Sequence, residues 1–235
     1  MPRRHMPLFD FYIMADWSGA ARRRGMRADA IWIAFGGKVD ERPKTISPFS
    51  RSEAIQLVRK LLEAQVSDGH RTLVCFDFAY AFPRDFSAAL QAATGRLDNV
   101  PPWLLVWQYL HDQIRDDDEP SSARKPSNRS NRFEVASKIN SHWSLDGDSA
   151  GPFWSAPSEG RYRYISQNQP AQSFQSAQGY ATPARRFTDL RARSGSPFRL
   201  FGHGSVGSQT LTGIPRLHEL RFAPEFSRHS TPGRR

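Results

Sequence analysis

The sequence has a single cysteine, Cys75, in 235 residues, which excludes an internal disulfide framework and any zinc site of the multi-cysteine kind. Cys75 sits in the apolar run Leu73-Val74-Cys75-Phe76, where a buried structural thiol is expected. No stretch approaches the roughly 18 apolar residues that a membrane helix requires. The start Met1-Pro2-Arg3-Arg4 has no apolar segment behind it, so a cytoplasmic protein with no membrane partner is expected. The seven histidines form no H-x-x-x-H or H-E-x-x-H pair, and there is neither a G-x-S-x-G elbow nor a Walker lysine. Acids are the scarcer charge: 23 Asp+Glu stand against 33 Lys+Arg, for a net +10, and polyanions become natural partners.

What is present is enough for a real core. Hydrophobic residues make up 38% of the chain, and there are six Trp and sixteen Phe; the length suits one large domain. We expect that domain over residues 1–220, with a basic, disordered tail over 221–235. Phe9 to Ala15 reads as a strand ending in Asp16-Trp17-Ser18-Gly19. A basic hairpin tip with Arg22, Arg23, Arg24 and Arg27 follows, then a second strand, Ala30 to Phe35. Gly36-Gly37 signals a turn into a third strand, Lys38 to Ile46, which Pro43 confines to an edge or an end. Ser50 to Gln65 carries Ala54, Leu57, Val58, Leu61 and Leu62 at helical spacing behind a Ser50/Glu53 capping box. Thr72 to Phe76 is the continuous apolar run of a strand buried on both faces, and it ends in Asp77.

Further on, helices are expected from Pro83 to Leu90, from Pro101-Pro102 with Trp103, Val106, Trp107 and Leu110 on its apolar face, and over Asn131 to His142. Asp116 to Glu119 reads as a solvated acidic run. Residues 146–183, rich in Gly, Pro, Ser and Gln, are expected as a long irregular insertion. Pro197 to Phe201 reads as a strand, followed by a glycine-rich turn and a helix to about Leu220. Three antiparallel strands, a helix and a returning parallel strand build an α/β mixed sheet with flanking helices, the ribonuclease H-like order.

That order sets Asp16 and Asp77 at the ends of neighbouring parallel strands. Like charges so placed repel unless a cation lies between them, and Mg²⁺ or Mn²⁺ bound there would orient water against a phosphodiester. The alternative is that each aspartate caps a turn. Glu134 is the candidate third catalytic acid, with Asp189 behind it; arginines flank both. Gly202-His203-Gly204-Ser205-Val206-Gly207 fits G-x-G-x-x-G, but the second parallel strand of a dinucleotide fold is missing. Two readings remain: Gly202, Gly204, Ser205, Val206, Gly207 and Ser208 bind a phosphate at a helix start, or the glycines serve a tight turn. Trp17 and Trp103 are either base-stacking groups or core.

The blocks Ala15-Asp16-Trp17-Ser18-Gly19-Ala20, Phe76-Asp77-Phe78-Ala79-Tyr80-Ala81-Phe82-Pro83, Asn131-Arg132-Phe133-Glu134 and Gly204-Ser205-Val206-Gly207-Ser208-Gln209 through Ile214-Pro215-Arg216-Leu217 resemble an uncharacterised bacterial family. That family is similar to predicted ribonuclease H-like nucleases, and its members are often labelled molybdopterin-guanine-dinucleotide or cobalamin biosynthesis proteins. The resemblance implies a metal-dependent nuclease or phosphodiesterase with Asp16 and Asp77 as its strand-end aspartates, acting on nucleic acid or a phosphate-bearing small molecule. It leaves two alternatives, a cofactor-biosynthesis factor and a non-catalytic nucleic-acid or protein-binding module. It also implies a further strand with an acidic residue after the Ile214 to Leu217 helix, where Arg221 to Arg235 shows no such pattern.

Overall fold

The computed structural model describes residues 8–20, 30–37, 42–95, 99–116, 129–143, 151–157 and 160–227. The basic hairpin tip, the acids at 117–119, the start of the 146–183 stretch and the last eight residues lie outside them. The chain divides into two compact units, one built from residues 1–77 and 220–227, the other from 78–116 and 129–219.

The first unit is a mixed sheet with a helix. Strand β1 (Phe11–Asp16) buries Ile13 and Ala15 and exposes Met14 and Asp16, the two-residue alternation of a strand with one face on a core. Strand β2 (Trp32–Gly36) pairs antiparallel with β1, and β3 (Lys44–Ile46) antiparallel with β2. Helix α1 (Arg51–Ser67) starts where Ser50 accepts the Glu53 amide at 3.1 Å, while the Glu53 carboxylate accepts the Phe49 amide. These bonds satisfy amides that a helix start leaves open. Ala54, Ile55 and Val58 form its buried stripe. Strand β4 (Thr72–Phe76) returns parallel to β1, so the sheet order is β3-β2-β1-β4. The expectation that β4 is covered on both faces is corrected: only Phe76 is buried. Among the described strands β4 is an end strand, with β1 as its one neighbour.

The second unit is mostly helical, with a small hairpin. Its helices are α2 (Phe86–Thr94), α3 (Pro102–Gln113) and α4 (Arg132–Ser141). The hairpin pairs β5 (Ser173–Gln175) with β6 (Ala181–Pro183), and α5 (Phe187–Ala192) and α6 (Val206–Arg221) follow. Helix α2 begins three residues later than Pro83 suggests, because Asp85 adopts a left-handed φ of 67° and turns the chain first. The buried face of α3 is Leu105, Val106, Tyr109 and Leu110, leaving Trp103 exposed.

Pro197 to Phe201 forms no strand. Its backbone makes an isolated bridge at Arg199 to Trp154, and the Arg199 carbonyl accepts the Gly207 amide at 2.8 Å. Asp116 is not solvated: its side chain is 3% exposed and pairs with Arg216 at 3.2 Å.

The described part of the 146–183 stretch packs into this unit. It contributes Phe153, Ile165 and Phe174 to the core of this unit. Phe82, Phe86, Phe153 and Phe198 pack ring on ring, with centroids 4.5 to 6.1 Å apart, and Trp143 stacks on Phe86.

Asn140 ties this stretch down. Its amide nitrogen donates to the carbonyls of Phe153 (2.7 Å) and Tyr164 (2.6 Å), and its oxygen accepts the Phe153 amide (2.9 Å). Asn140 is fully buried. Asn140→Ala therefore removes three bonds and orphans backbone groups, with an expected loss of about 3 kcal/mol, since each net bond contributes about 1 kcal/mol. Urea denaturation measures this; a loss under about 1 kcal/mol would contradict it.

Candidate functional site

The site grows from the parallel pairing of β1 and β4. Their register matches Ala15 with Phe76, and the Asp77 amide donates to the Ala15 carbonyl at 3.2 Å. The next residue in each case is an aspartate, Asp16 closing β1 and Asp77 directly following β4, so the two lie abreast at the strand ends. The two carboxyls are near enough for Asp16 to disfavour ionisation of Asp77.

The turn that follows is built to hold them. The Trp17 amide donates to Asp77 Oδ1 at 2.8 Å, and the Trp17 ring is buried edge-on against Phe76. Trp17 is thus core, not a base-stacking group. Arg51, fully buried at the start of α1, donates to the Ser18 and Ala20 carbonyls at 3.2 and 3.4 Å. Sequence reading missed Arg51, because an arginine in the first turn of an amphipathic helix looks like a surface charge.

The Asp77 carboxyl is pushed up to about 6 from an ordinary value of 3.8. Removal from water is the largest cause. The Trp17 amide opposes it, while the charge and hydrogen bonding of Asp16 add to it. At the residue level Asp77 remains exposed, so its carboxyl is only partly withdrawn from water.

The stability consequence has a definite sign. Between about pH 4 and about 6 the folded state holds a proton at Asp77 that the unfolded chain has released, so stability falls as pH rises through this window. Asp77→Asn carries no such penalty and keeps an oxygen for the Trp17 amide. The advantage of the variant over the wild type, measured by denaturation in chelator, is expected to grow from pH 4 to about 6 and then level off. A pH-independent difference would contradict this account.

The other candidates belong to the second unit. Glu134 is exposed on α4, and Tyr162 Oη donates to it at 3.5 Å. Asp189 is buried and bound by Arg186, whose guanidinium and amide hold its carboxyl below the usual range against the upward push of burial. That is the chemistry of a structural ion pair. Among the described residues no three His, Cys, Asp or Glu side chains form a metal-ligand cluster.

The glycine loop closes on itself. Gly202 and Gly204 have φ of 88° and 74°, conformations that glycine takes without strain. The Ser205 amide donates to the Gly202 carbonyl, Val206 to Gly204 and Gly207 to Arg199. Three amides of the expected phosphate cradle are thus directed into the chain. Ser208 Oγ donates to the Leu200 carbonyl and accepts from Arg132 Nε at 2.8 Å, so its hydroxyl is engaged as well. The tight-turn reading accounts for this loop.

No helix among the described residues is long and apolar enough to cross a membrane. No protein-family model, curated protein or solved structure matches the chain.

Proposed function

We propose that the chain is a ribonuclease H-like, metal-dependent phosphodiesterase or nuclease in which Asp16 and Asp77 hold Mg²⁺ or Mn²⁺. The observation that carries this reading is the pair itself: two carboxyls abreast at the ends of parallel strands, one of them resisting ionisation beside the other. The sheet order β3-β2-β1-β4 with β1 and β4 parallel supports the fold assignment.

The residues fit a hard divalent cation. Mg²⁺ and Mn²⁺ prefer carboxylate oxygens and are commonly held by one or two of them, with water and substrate phosphate completing the shell. Two ionised carboxylates this close are unfavourable alone and favourable around a dication. When bound, the cation supplies Lewis-acid polarisation of a phosphoryl oxygen and lowers the pKa of a coordinated water.

The chain supplies the positioning. The Trp17 amide fixes the rotamer of Asp77, Arg51 anchors the turn carrying that amide, and the β1–β4 register sets the spacing of the carboxyls. Asp77 must lose its proton to act as a ligand. Excess positive charge favours a polyanionic or phosphate-bearing substrate.

The test is hydrolysis of nucleic acids and of bis-p-nitrophenyl phosphate with Mn²⁺. Activity in the wild type that falls more than about 100-fold in Asp16→Asn and in Asp77→Asn supports the reading, since even supporting-shell changes at metal sites cost 10- to 100-fold. Activity that survives both substitutions overturns it.

A further inference from the structure

A second feature, in the helical unit and independent of the carboxylate pair, is a ridge of partly exposed aromatic rings along α3. Trp103, Trp107 and His111 recur every four residues, so they rise along one flank of the helix about 6 Å apart. This flank is distinct from the buried stripe of Leu105, Val106, Tyr109 and Leu110.

Trp103 is 36% exposed and meets Trp107 edge to face at 5.1 Å. Trp107 Nε1 donates to the Tyr80 carbonyl at 2.8 Å, which pins the segment carrying the Tyr80 ring, itself 40% exposed, to the helix. His111 follows on the same flank, its ring tilted against that of His218 with centroids 4.4 Å apart and its Nδ1 3.4 Å from Asp112 Oδ1. At its far end Arg115 Nη1 donates to the His111 carbonyl at 3.2 Å, holding a cation there. The rings are thus fixed before any ligand arrives.

Large aromatic groups are costly to leave in water, and a rigid row of them ending in a guanidinium matches a ligand with planar apolar faces on an anionic backbone. We propose that the Trp103–Trp107–His111 ridge is a base-stacking platform for single-stranded nucleic acid. A duplex hides its base faces, whereas an unpaired strand offers a π-face on each nucleotide, whatever its sequence. The net charge of +10 favours this occupant over an apolar protein partner through attraction to the phosphates.

The experiment uses the full chain in EDTA, so that hydrolysis plays no part and failure of the metal site is read separately. A fluorescein-labelled oligothymidylate about 16 nucleotides long is compared by anisotropy with an abasic strand of equal length and charge, and with a duplex. The wild type is expected to prefer the oligothymidylate over the abasic strand by about tenfold or more, with quenching of tryptophan fluorescence. Trp103→Ala should lose that preference, by about 5- to 150-fold in affinity for the base-bearing strand, while still binding the abasic strand; Trp103→Phe should recover part of it. Equal affinity of the wild type for both strands, preference for duplex, no binding, or an unchanged Trp103→Ala variant would each overturn the platform. So would self-association of the protein that is lost on Trp103→Ala without any strand preference.

Discussion

Asp16→Asn and Asp77→Asn are each expected to lower divalent-cation affinity by more than about 100-fold, while both proteins remain folded. Asparagine is the informative replacement because it keeps the shape and one oxygen. At position 77 that oxygen can still accept the Trp17 amide, now 2.8 Å from Asp77 Oδ1, so the turn should survive. What is lost is charge. A dication held by two carboxylates loses half of its neutralising charge, and each remaining ligand is weak without the other. The same substitutions remove the repulsion between Asp16 and Asp77, so the metal-free proteins should be at least as stable as the wild type at pH 7. Loss of binding with retained or raised stability separates a ligand from a structural residue, because an aspartate serving only as a turn cap would lose stability and leave the metal response unchanged. Circular dichroism melts in EDTA and in Mn²⁺ measure both quantities.

Gly207→Ala is expected to destabilise the fold by about 3 kcal/mol, the upper end of overpacking costs. A β-carbon at Gly207 would lie 2.6 Å from the Arg199 carbonyl oxygen, 2.8 Å from that of Pro197 and 2.9 Å from the Arg199 carbonyl carbon. All three are backbone atoms, so no side chain can swing away. Relief requires moving residues 197–199, which carry Phe198, fully buried among Phe82, Phe86 and Phe153. The shift also stretches the bond from the Gly207 amide to the Arg199 carbonyl. For a chain of this size the melting temperature should fall by about 6 to 12 °C. Gly36→Ala is the control, because its β-carbon would meet only ordinary contacts, at 3.6 and 3.9 Å from Pro43. A Gly207→Ala melt within about 2 °C of the wild type would contradict the close approach.

The sheet was legible because its signals are local. An apolar run that stops at an aspartate reads as a strand end, and Ser50 with Glu53 reads as a helix start; the strand pairing then follows from a few connection rules. Asp16 and Asp77 could therefore be placed side by side from sequence alone. The second unit was less legible because its order rests on distant partners. Asn140 binds Phe153 and Tyr164, and nothing in its own neighbourhood announces that. Pro197 to Phe201 has the composition of a strand, yet the approach of Gly207 takes the Arg199 carbonyl. The glycine loop matched a phosphate-binding pattern residue for residue, but the pattern does not say where the amides point, and here Ser205, Val206 and Gly207 donate to carbonyls of their own chain.

The most direct test of the metal-site reading is calorimetric titration of Mn²⁺ into the wild type, Asp16→Asn and Asp77→Asn, at pH 7 and at pH 5. Because burial and Asp16 raise Asp77 to about 6, a cation must displace its proton at pH 5 but not at pH 7. The account predicts one site in the wild type that is tighter at pH 7 than at pH 5 and is lost in both variants. No binding by the wild type at pH 7, or binding that persists unchanged in Asp77→Asn, would contradict it.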